Sequence, residues 1–363
     1  MKRAFDSDSA GSESWKQTWE PLIASVGSDL SQGQVVSGAG PIEATTVWRY
    51  LEPLEFDCSL HYDLDVARRY GFTNITAPYT SILTFTIPPM WQPGKALFTS
   101  DERDSQPAYS PINGNDLRVA PQLTGFFATD FEMDFLRPPM VGDHLSKRGN
   151  VLLSCVPKWV TVGRGAFITL QSEVITGDDE VIGKVRHTVF AYEPMFDGQP
   201  SGTSSKPSDV GTLANSEHAA KEFSMSGISF REGDDIEPVV FPLSVYRLVM
   251  AAGANRDFNS IHHNSEYAKK SGADEMYANT SFLLGMWERT IRNFIGLEGT
   301  LRSIRGFRMK KFNPVGTSTT VRGRILSVTE GSDHFLIDLS IWCENNGDVT
   351  VGPGVAMVSV PKS

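Results

Sequence analysis

Tyr246-Arg-Leu-Val-Met-Ala-Ala-Gly-Ala-Asn-Arg-Asp257-Phe-Asn259-Ser-Ile-His262 carries the signal from which the rest of the chain is read. Its first part is apolar and its last part polar, so Phe241 to Ala252 is expected as a short helix and Asn255 to His263 as a loop. A brief helix should follow, from Asn264, a good N-cap, to Gly272, a good stop. Next comes Asn279-Thr-Ser-Phe-Leu-Leu-Gly-Met-Trp-Glu-Arg-Thr-Ile-Arg-Asn-Phe-Ile-Gly296, in which Phe282, Leu283, Met286, Ile291, Phe294 and Ile295 recur at roughly helical spacing. That implies one long, mostly buried helix. Behind it, Ser303–Phe312, Ser318–Thr329, Asp333–Glu344 and Val349–Val360 have strand-like patterns separated by Gly-Ser or Asn-Gly turns. Helix first and strand meander second predicts an α+β unit, one long helix wrapped by an antiparallel sheet.

The unit is written twice. At a constant offset of 201, Ser59 meets Ser260, His61 meets His262, Ala67 meets Ala268, Gly71 meets Gly272 and Ala77 meets Ala278. Further on, Phe131-Glu-Met-Asp-Phe-Leu-Arg-Pro138 parallels Phe307-Arg-Met-Lys-Lys-Phe-Asn-Pro314. The Gly, Pro and Ser-rich stretch from Asp197 to Lys221 reads as a linker. The expected organisation is an N-terminal domain over 15–193, a linker over 194–222 and a C-terminal domain over 223–361, in keeping with a chain of 363 residues.

Composition narrows the class. Hydrophobic residues make up 40% and charged residues 21%, as in ordinary globular proteins, and no apolar run is long enough for a bilayer. The polar, acidic start Met1–Gly11 lacks the apolar core of a secretory signal, so the expected location is cytoplasmic. A net charge of -10 argues against nucleic acid as a partner. Cys58, Cys155 and Cys343 are an odd, scattered set, expected as buried thiols and not as a disulfide framework or zinc site. Arg302, Arg305, Arg308, Lys310 and Lys311 form one basic stretch, suited either to phosphates or to a solvated strand face.

Asp257, Asn259 two residues later and His262 five residues after the Asp lie on a loop just before a helix, where side chains can converge. Two titratable groups beside one water can both remove and deliver a proton. The doublet His262-His263 lacks a third ligand at a recognisable spacing, so no metal is expected. Arg256 is expected either to lower the carboxyl pKa of Asp257 or to face solvent.

This constellation closely resembles the Asp-x-Asn-Pro-x-His signature of R-specific enoyl-CoA hydratases and other MaoC-like dehydratases. Ser260 stands where that family usually has Pro, and Ala254-Asn255-Arg256 replaces the usual Gly before the Asp. Asn279-Thr-Ser-Phe-Leu-Leu-Gly285 is similar to the helix start of actinobacterial acyl dehydratases of the family. The resemblance implies a double hot-dog protein that hydrates a 2-enoyl thioester, or dehydrates the 3-hydroxyacyl thioester, without a cofactor. It further implies CoA or acyl carrier protein as the thioester handle, a homodimer, and Asp257 and His262 as the catalytic pair with Asn259 orienting loop or water. Asn279, the amide of Thr280, Arg308 and Lys310 are the expected oxyanion and substrate-binding groups, because a helix head offers free amides and a favourable dipole. Rival readings are a MaoC-like isomerase or tailoring enzyme acting on a non-thioester, and a non-catalytic hot-dog subunit.

The first copy keeps His61, but Phe56 and Cys58 stand where the second has Asp257 and Asn259, so it is expected to be silent. Pro78 and Tyr79 replace Asn279 and Thr280, and Pro88-Pro89 should break its helix after about two turns. From Ile82 to Asp130 it has 49 residues where the second copy has 24 from Leu283 to Gly306. A shortened helix with loops around it is expected to open space for a bulky acyl chain.

Overall fold

Helix termini leave backbone amides without partners, and at each helix start of the C-terminal half a short polar side chain meets that need. Ser244, Asn264 and Asn279 accept from Arg247 N, Tyr267 N and Phe282 N respectively. The computed structural model describes residues 14–108, 121, 125–160, 163–194, 223–225 and 228–362. The expected linker thus lies outside the described residues apart from residue 194, as does the segment 109–124 apart from residue 121.

In chain order the elements are helices α1 (Ser14–Gln17) and α2 (Glu20–Ala24), strand β1 (Val35–Ser37), and helices α3 (Ala44–Leu51), α4 (Leu64–Arg69) and α5 (Ile82–Phe85). Strands β2 (Gly125–Phe135), β3 (Ser146–Val160), β4 (Gly163–Ile175) and β5 (Val181–Pro194) complete the first half. The second half begins with β6 (Phe223–Met225), β7 (Ile228–Phe230), β8 (Asp235–Pro242), α6 (Val245–Ala254), α7 (Ser265–Lys270) and the 16-residue α8 (Thr280–Ile295). It ends with β9 (Thr300–Arg308), β10 (Ser318–Glu330), β11 (His334–Asn345) and β12 (Asp348–Pro361).

Ten strands form one antiparallel sheet in the order β1-β3-β4-β5-β2-β9-β12-β11-β10-β8, and the halves join where β2 pairs with β9. The fold is an α+β double hot-dog. Charge crosses the seam: Arg305 bonds to Asp134 and to the Met133 carbonyl (2.7 Å), and Arg308 lies 3.6 Å from Asp130. Much of the basic stretch is therefore neutralised within the protein, since Lys311 also pairs with Asp348 (2.7 Å).

Helix α8 fills the hollow of the sheet. Phe282, Leu283, Met286, Trp287, Ile291 and Ile295 are all buried, and Trp287 meets Phe307 edge-on at 4.8 Å. Gly285 marks where α8 crosses the first half: a Cβ there would come within 2.6 Å of the Leu54 side chain, which would have to shift. All three cysteines are free and buried.

Two expected boundaries move. Phe241 belongs to β8 and not to a helix: Ile236, Val239 and Phe241 alternate inward as a strand on β10, and Pro238 and Pro242 are tolerated because β8 is an edge. The first strand after α8 runs over 300–308 instead of 303–312, because the amides of Lys310 and Lys311 both turn to the Thr350 carbonyl.

In the first half, Tyr79–Ser81 forms a 3-10 turn and α5 lasts one turn. The row of residues it leaves uncovered does not stay bare. Along β4 and β5, Ile168, Leu170, Val189 and Ala191 point the same way as Val174 and Val185 under α5, given the two-residue period of a strand. Trp19, at the N-cap of α2, and Leu22 within it pack on that row, a contact the sequence did not signal. Trp19→Ala should cost about 3–5 kcal/mol, the usual range for emptying a buried Trp site, measured as a lowered urea midpoint; a midpoint unchanged from wild type would detach α2 from the core.

Candidate active site

The offset of 201 extends to backbone detail. Asp257 N donates to Ala252 O (2.9 Å) as Phe56 N donates to Leu51 O (3.2 Å), and the residue before each, Arg256 or Glu55, has positive φ (57° and 48°). His262 Nδ1 lies 2.9 Å from Tyr277 O, and His61 Nδ1 lies 2.8 Å from Thr76 O. Each histidine ends a 3-10 turn, Ser260–His262 or Ser59–His61.

What the two loops present differs. In the C-terminal half Asp257 Oδ2 lies 3.4 Å from His262 Nε2, with the side chains 17% and 11% exposed, so the pair is reachable yet largely desolvated. A carbonyl only accepts, so Nδ1 of His262 carries the hydrogen toward Tyr277 and Nε2 is the nitrogen left to exchange a proton beside Asp257. Asn259 accepts from Ile261 N (3.3 Å), which fixes the turn on which His262 sits. Tyr277 packs edge-on against His262 at 5.2 Å and stacks on Phe312 at 4.2 Å; burial, then the Asp257 charge, pushes its phenol up to about 12.

Asn279 Oδ1 accepts from both Phe282 N (2.8 Å) and Asn255 Nδ2 (3.0 Å), tying the end of α6 to the head of α8. Its Nδ2 is buried without a hydrogen-bond partner. Thr280 opens α8, so its amide has no acceptor one turn back, and its hydroxyl faces Met309 Sδ at 3.4 Å. Arg308 and Lys310 lie on the exposed side of the strand end, and the structure does not bring their side chains into contact with Asp257 or His262. Arg256 does not simply face solvent. Its guanidinium donates to the carbonyls of Ile87 (2.9 Å) and Pro88 (3.0 Å) in the first half. His263 turns away from His262 and bonds Phe258 O (3.2 Å).

In the first half Phe56 meets His61 edge-on at 5.2 Å, and Nε2 of His61 is buried with no partner. The head of the short helix is occupied from the other half. Glu288, midway along α8, accepts from Tyr79 N (2.7 Å), Thr80 N (2.7 Å) and Thr80 Oγ1 (2.8 Å). Tyr79 is the counterpart of Thr280, and the counterpart of Glu288 is Ile87, which has no anion to offer α8 in return. Burial raises the carboxyl pKa of Glu288, opposed by these donors and by Arg292. Glu288 was missed because a Glu in an amphipathic helix ordinarily reads as solvent-facing; the three-residue spacing from buried Gly285 was the available signal.

No protein-family profile matches the sequence, and no curated protein does. Solved structures do. A MaoC-like dehydratase is similar with a TM-score of 0.65 at 19% identity, over 94% of this chain and 100% of that one. A MaoC domain dehydratase from Chloroflexus aurantiacus gives 0.60 at 12%, over 91% and 95%. A conserved hypothetical protein of Mycobacterium tuberculosis with a double hot-dog fold gives 0.57 at 12%, over 91% and 96%. At these identities the likeness establishes the fold the chain shares with MaoC-like dehydratases. No helix among the described residues is long and apolar enough to cross a membrane.

Burial, then the nearby Arg292 cation, lowers the His61 pKa from 6.5 to about 3. The unfolded chain therefore takes up a proton below pH 6.5 that the folded protein refuses until about pH 3, and stability falls as pH falls through that window. At its steepest the contribution is about 1.4 kcal/mol per pH unit. His61→Leu should flatten unfolding free energy against pH between 6 and 4 by about one proton; an unchanged slope would assign the proton uptake to other groups.

Proposed function

We propose that the protein is a hydro-lyase that adds water reversibly across a 2-enoyl thioester, or removes it from the 3-hydroxyacyl thioester. The observation that carries the reading is the contrast between the two copies. In one, Asp257 and His262 stand together, and the buried Asn279 Nδ2 at the head of α8 has no hydrogen-bond partner; in the other, Phe56 replaces the acid and Glu288 takes the helix-head donors.

In the hydration direction, water oxygen bonds to C3 while one member of the pair takes its proton, and the C2–C3 π electrons move toward the thioester carbonyl. The other member then delivers a proton to C2, and the first passes the proton taken from water across the 3.4 Å between them to the second, so that one water is added and the pair is restored. The enolate-like oxygen needs donors aimed at it. The Thr280 amide and Asn279 Nδ2 are suited to this, and hydrogen bonds from a desolvated helix head strengthen as charge develops. Glu288 on Tyr79 and Thr80 is a carboxylate seated at the equivalent place, which supports the same geometry accepting an anionic oxygen in the catalytic copy. Asn259 holds the turn. Lys310 and Arg302, with Arg308, whose side chain stays 58% exposed beside Asp130, are the cations we assign to the phosphates of CoA or of an acyl carrier protein's pantetheine arm.

Asp257→Asn and His262→Ala should each lower turnover about 10²–10⁴-fold with the fold intact, the scale of one acid–base group. His61→Ala should leave turnover within about a few-fold. Retention of half the wild-type rate by either of the first two variants, followed as loss of enoyl absorbance, would remove the mechanism.

The acyl group we propose is bulky, because α5 stops one turn after its start. Burial contributes about 25 cal/mol per Å² of apolar tail, so a branched or ring-bearing chain can gain a few kcal/mol. A large acyl thioester should exceed crotonyl-CoA by at least about tenfold in kcat/KM. Equal activity on the four-carbon substrate would mean that α2 and the loops of the first half fill the vacated space.

A further inference from the structure

Within the loop that carries Asp257 and His262, Asn259 caps the 3-10 turn through Ile261 N, and Ser260, the first residue of that turn, has a side chain free to reach outward. The first half approaches it from outside at three points. Arg256, just before Asp257, holds the carbonyls of Ile87 and Pro88. Ser260 Oγ lies 3.1 Å from Gln106 Nε2 and 3.4 Å from Gln106 Oε1. Asn264 Nδ2 donates to Asp104 Oδ1 (3.2 Å), whose other oxygen lies 3.5 Å from Lys270 Nζ. These contacts bracket the segment that carries both members of the pair. An open depression of about 570 Å³ lies between the same elements, lined by Arg103, Asp104, Ser105, Ser260 and Asn264 but by neither Asp257 nor His262.

We propose that residues 87–106 of the silent half act as a clamp on the catalytic loop, with Gln106 and Arg256 as positioning residues; this rests on the function proposed above. The argument is one of constraint. Asp257 and His262 are separated by 3.4 Å, and a change of an ångström at the loop would uncouple them. The loop already bears a non-glycine residue at positive φ, Arg256 at 57°, a conformation that persists only when its surroundings hold it. Its two bonds to Ile87 and Pro88 supply that hold on one side, and Gln106 supplies it on the other.

The geometry also defines a substitute for the clamp. Asn259 has φ -61° and ψ 125°, the backbone that favours a following proline, and Ser260 is the first residue of a 3-10 turn, where proline's fixed φ fits and its missing amide costs least. Ser260→Pro stiffens the loop from within and dispenses with Gln106. The test uses the full chain in three forms: wild type, Gln106→Ala, and Gln106→Ala with Ser260→Pro. Gln106→Ala should speed amide hydrogen exchange over residues 258–264 by about tenfold, the effect of losing a hydrogen bond or two, and lower kcat with KM within about twofold. The double variant should recover both. Exchange over 258–264 that is unchanged in Gln106→Ala, or that the added proline fails to slow, would overturn the clamp. Absence of turnover in wild type together with the expected exchange pattern would sink the hydratase reading and leave the clamp standing.

Discussion

The side chain of Asn279 is the point from which the site hangs. By accepting from Phe282 N and from Asn255 Nδ2 at once, its oxygen starts α8 and fixes the end of α6 against it, and Asp257 leaves α6 two residues after Asn255. The direction of α8 is in turn decided by burial of Trp287, Phe282 and Met286 inside the sheet. A helix wrapped this way has little solvent face, with Asn293 exposed and Arg289 half-buried. Glu288, 1% exposed, and Arg292, 6% exposed, must find partners inside, because an unpaired buried charge is too costly to keep. Glu288 finds the helix head of the first half, and Arg292 finds the carbonyls of Gly296 and Gly299.

The two copies therefore share a backbone and divide the chemistry. Both hold a histidine by Nδ1 on a carbonyl and both force a non-glycine residue into positive φ just before the decisive position. At that position one copy has Asp257 and the other Phe56. With the acid gone, His61 is best kept neutral and dry, and its strongly depressed pKa is the consequence. Glu55, the counterpart of Arg256, is free for other work and pairs with Arg247 on α6 (2.6 Å).

The double hot-dog was legible because its signals are local and repeat: the fixed offset, the helical spacing after Asn279, and the strand alternation that follows. Asp257, Asn259 and His262 were legible for the same reason, being packed into six residues. What escaped the sequence depends on distance along the chain. Trp19 and Leu22 sit in a short segment without a helical repeat, yet cover β4 and β5. Gln106 lies in a turn-rich stretch and reaches Ser260 across the interface of the halves. Glu288 looks like the polar face of an amphipathic helix until the second helix head is known to lie over it. The start of α6 was misjudged because Val239-Val-Phe-Pro-Leu243 suits an edge strand and a helix start equally by composition, and only pairing with β10 decides.

The broken helix of the first half follows from the same economy. Proline disfavours helical backbone in the residue before it and cannot donate to the ladder, so Ile87-Pro88-Pro89 ends what a full duplicate would continue. In a symmetrical pair each long helix would carry a residue at the Glu288 position toward the head of the other. Here that residue is Ile87, and the chain has already left the helix; its carbonyl, with that of Pro88, is turned to Arg256. The break thus does two things with one change of direction. Among the described residues it leaves the head of α8 without a counterpart of Glu288, so that Thr280 and Asn279 keep donors for a substrate oxygen on the proposed reading, and it delivers two carbonyls to the residue that precedes Asp257. On the proposed reading, a first half shaped this way still serves the site, because its loss of helix leaves the head of α8 without a counterpart of Glu288.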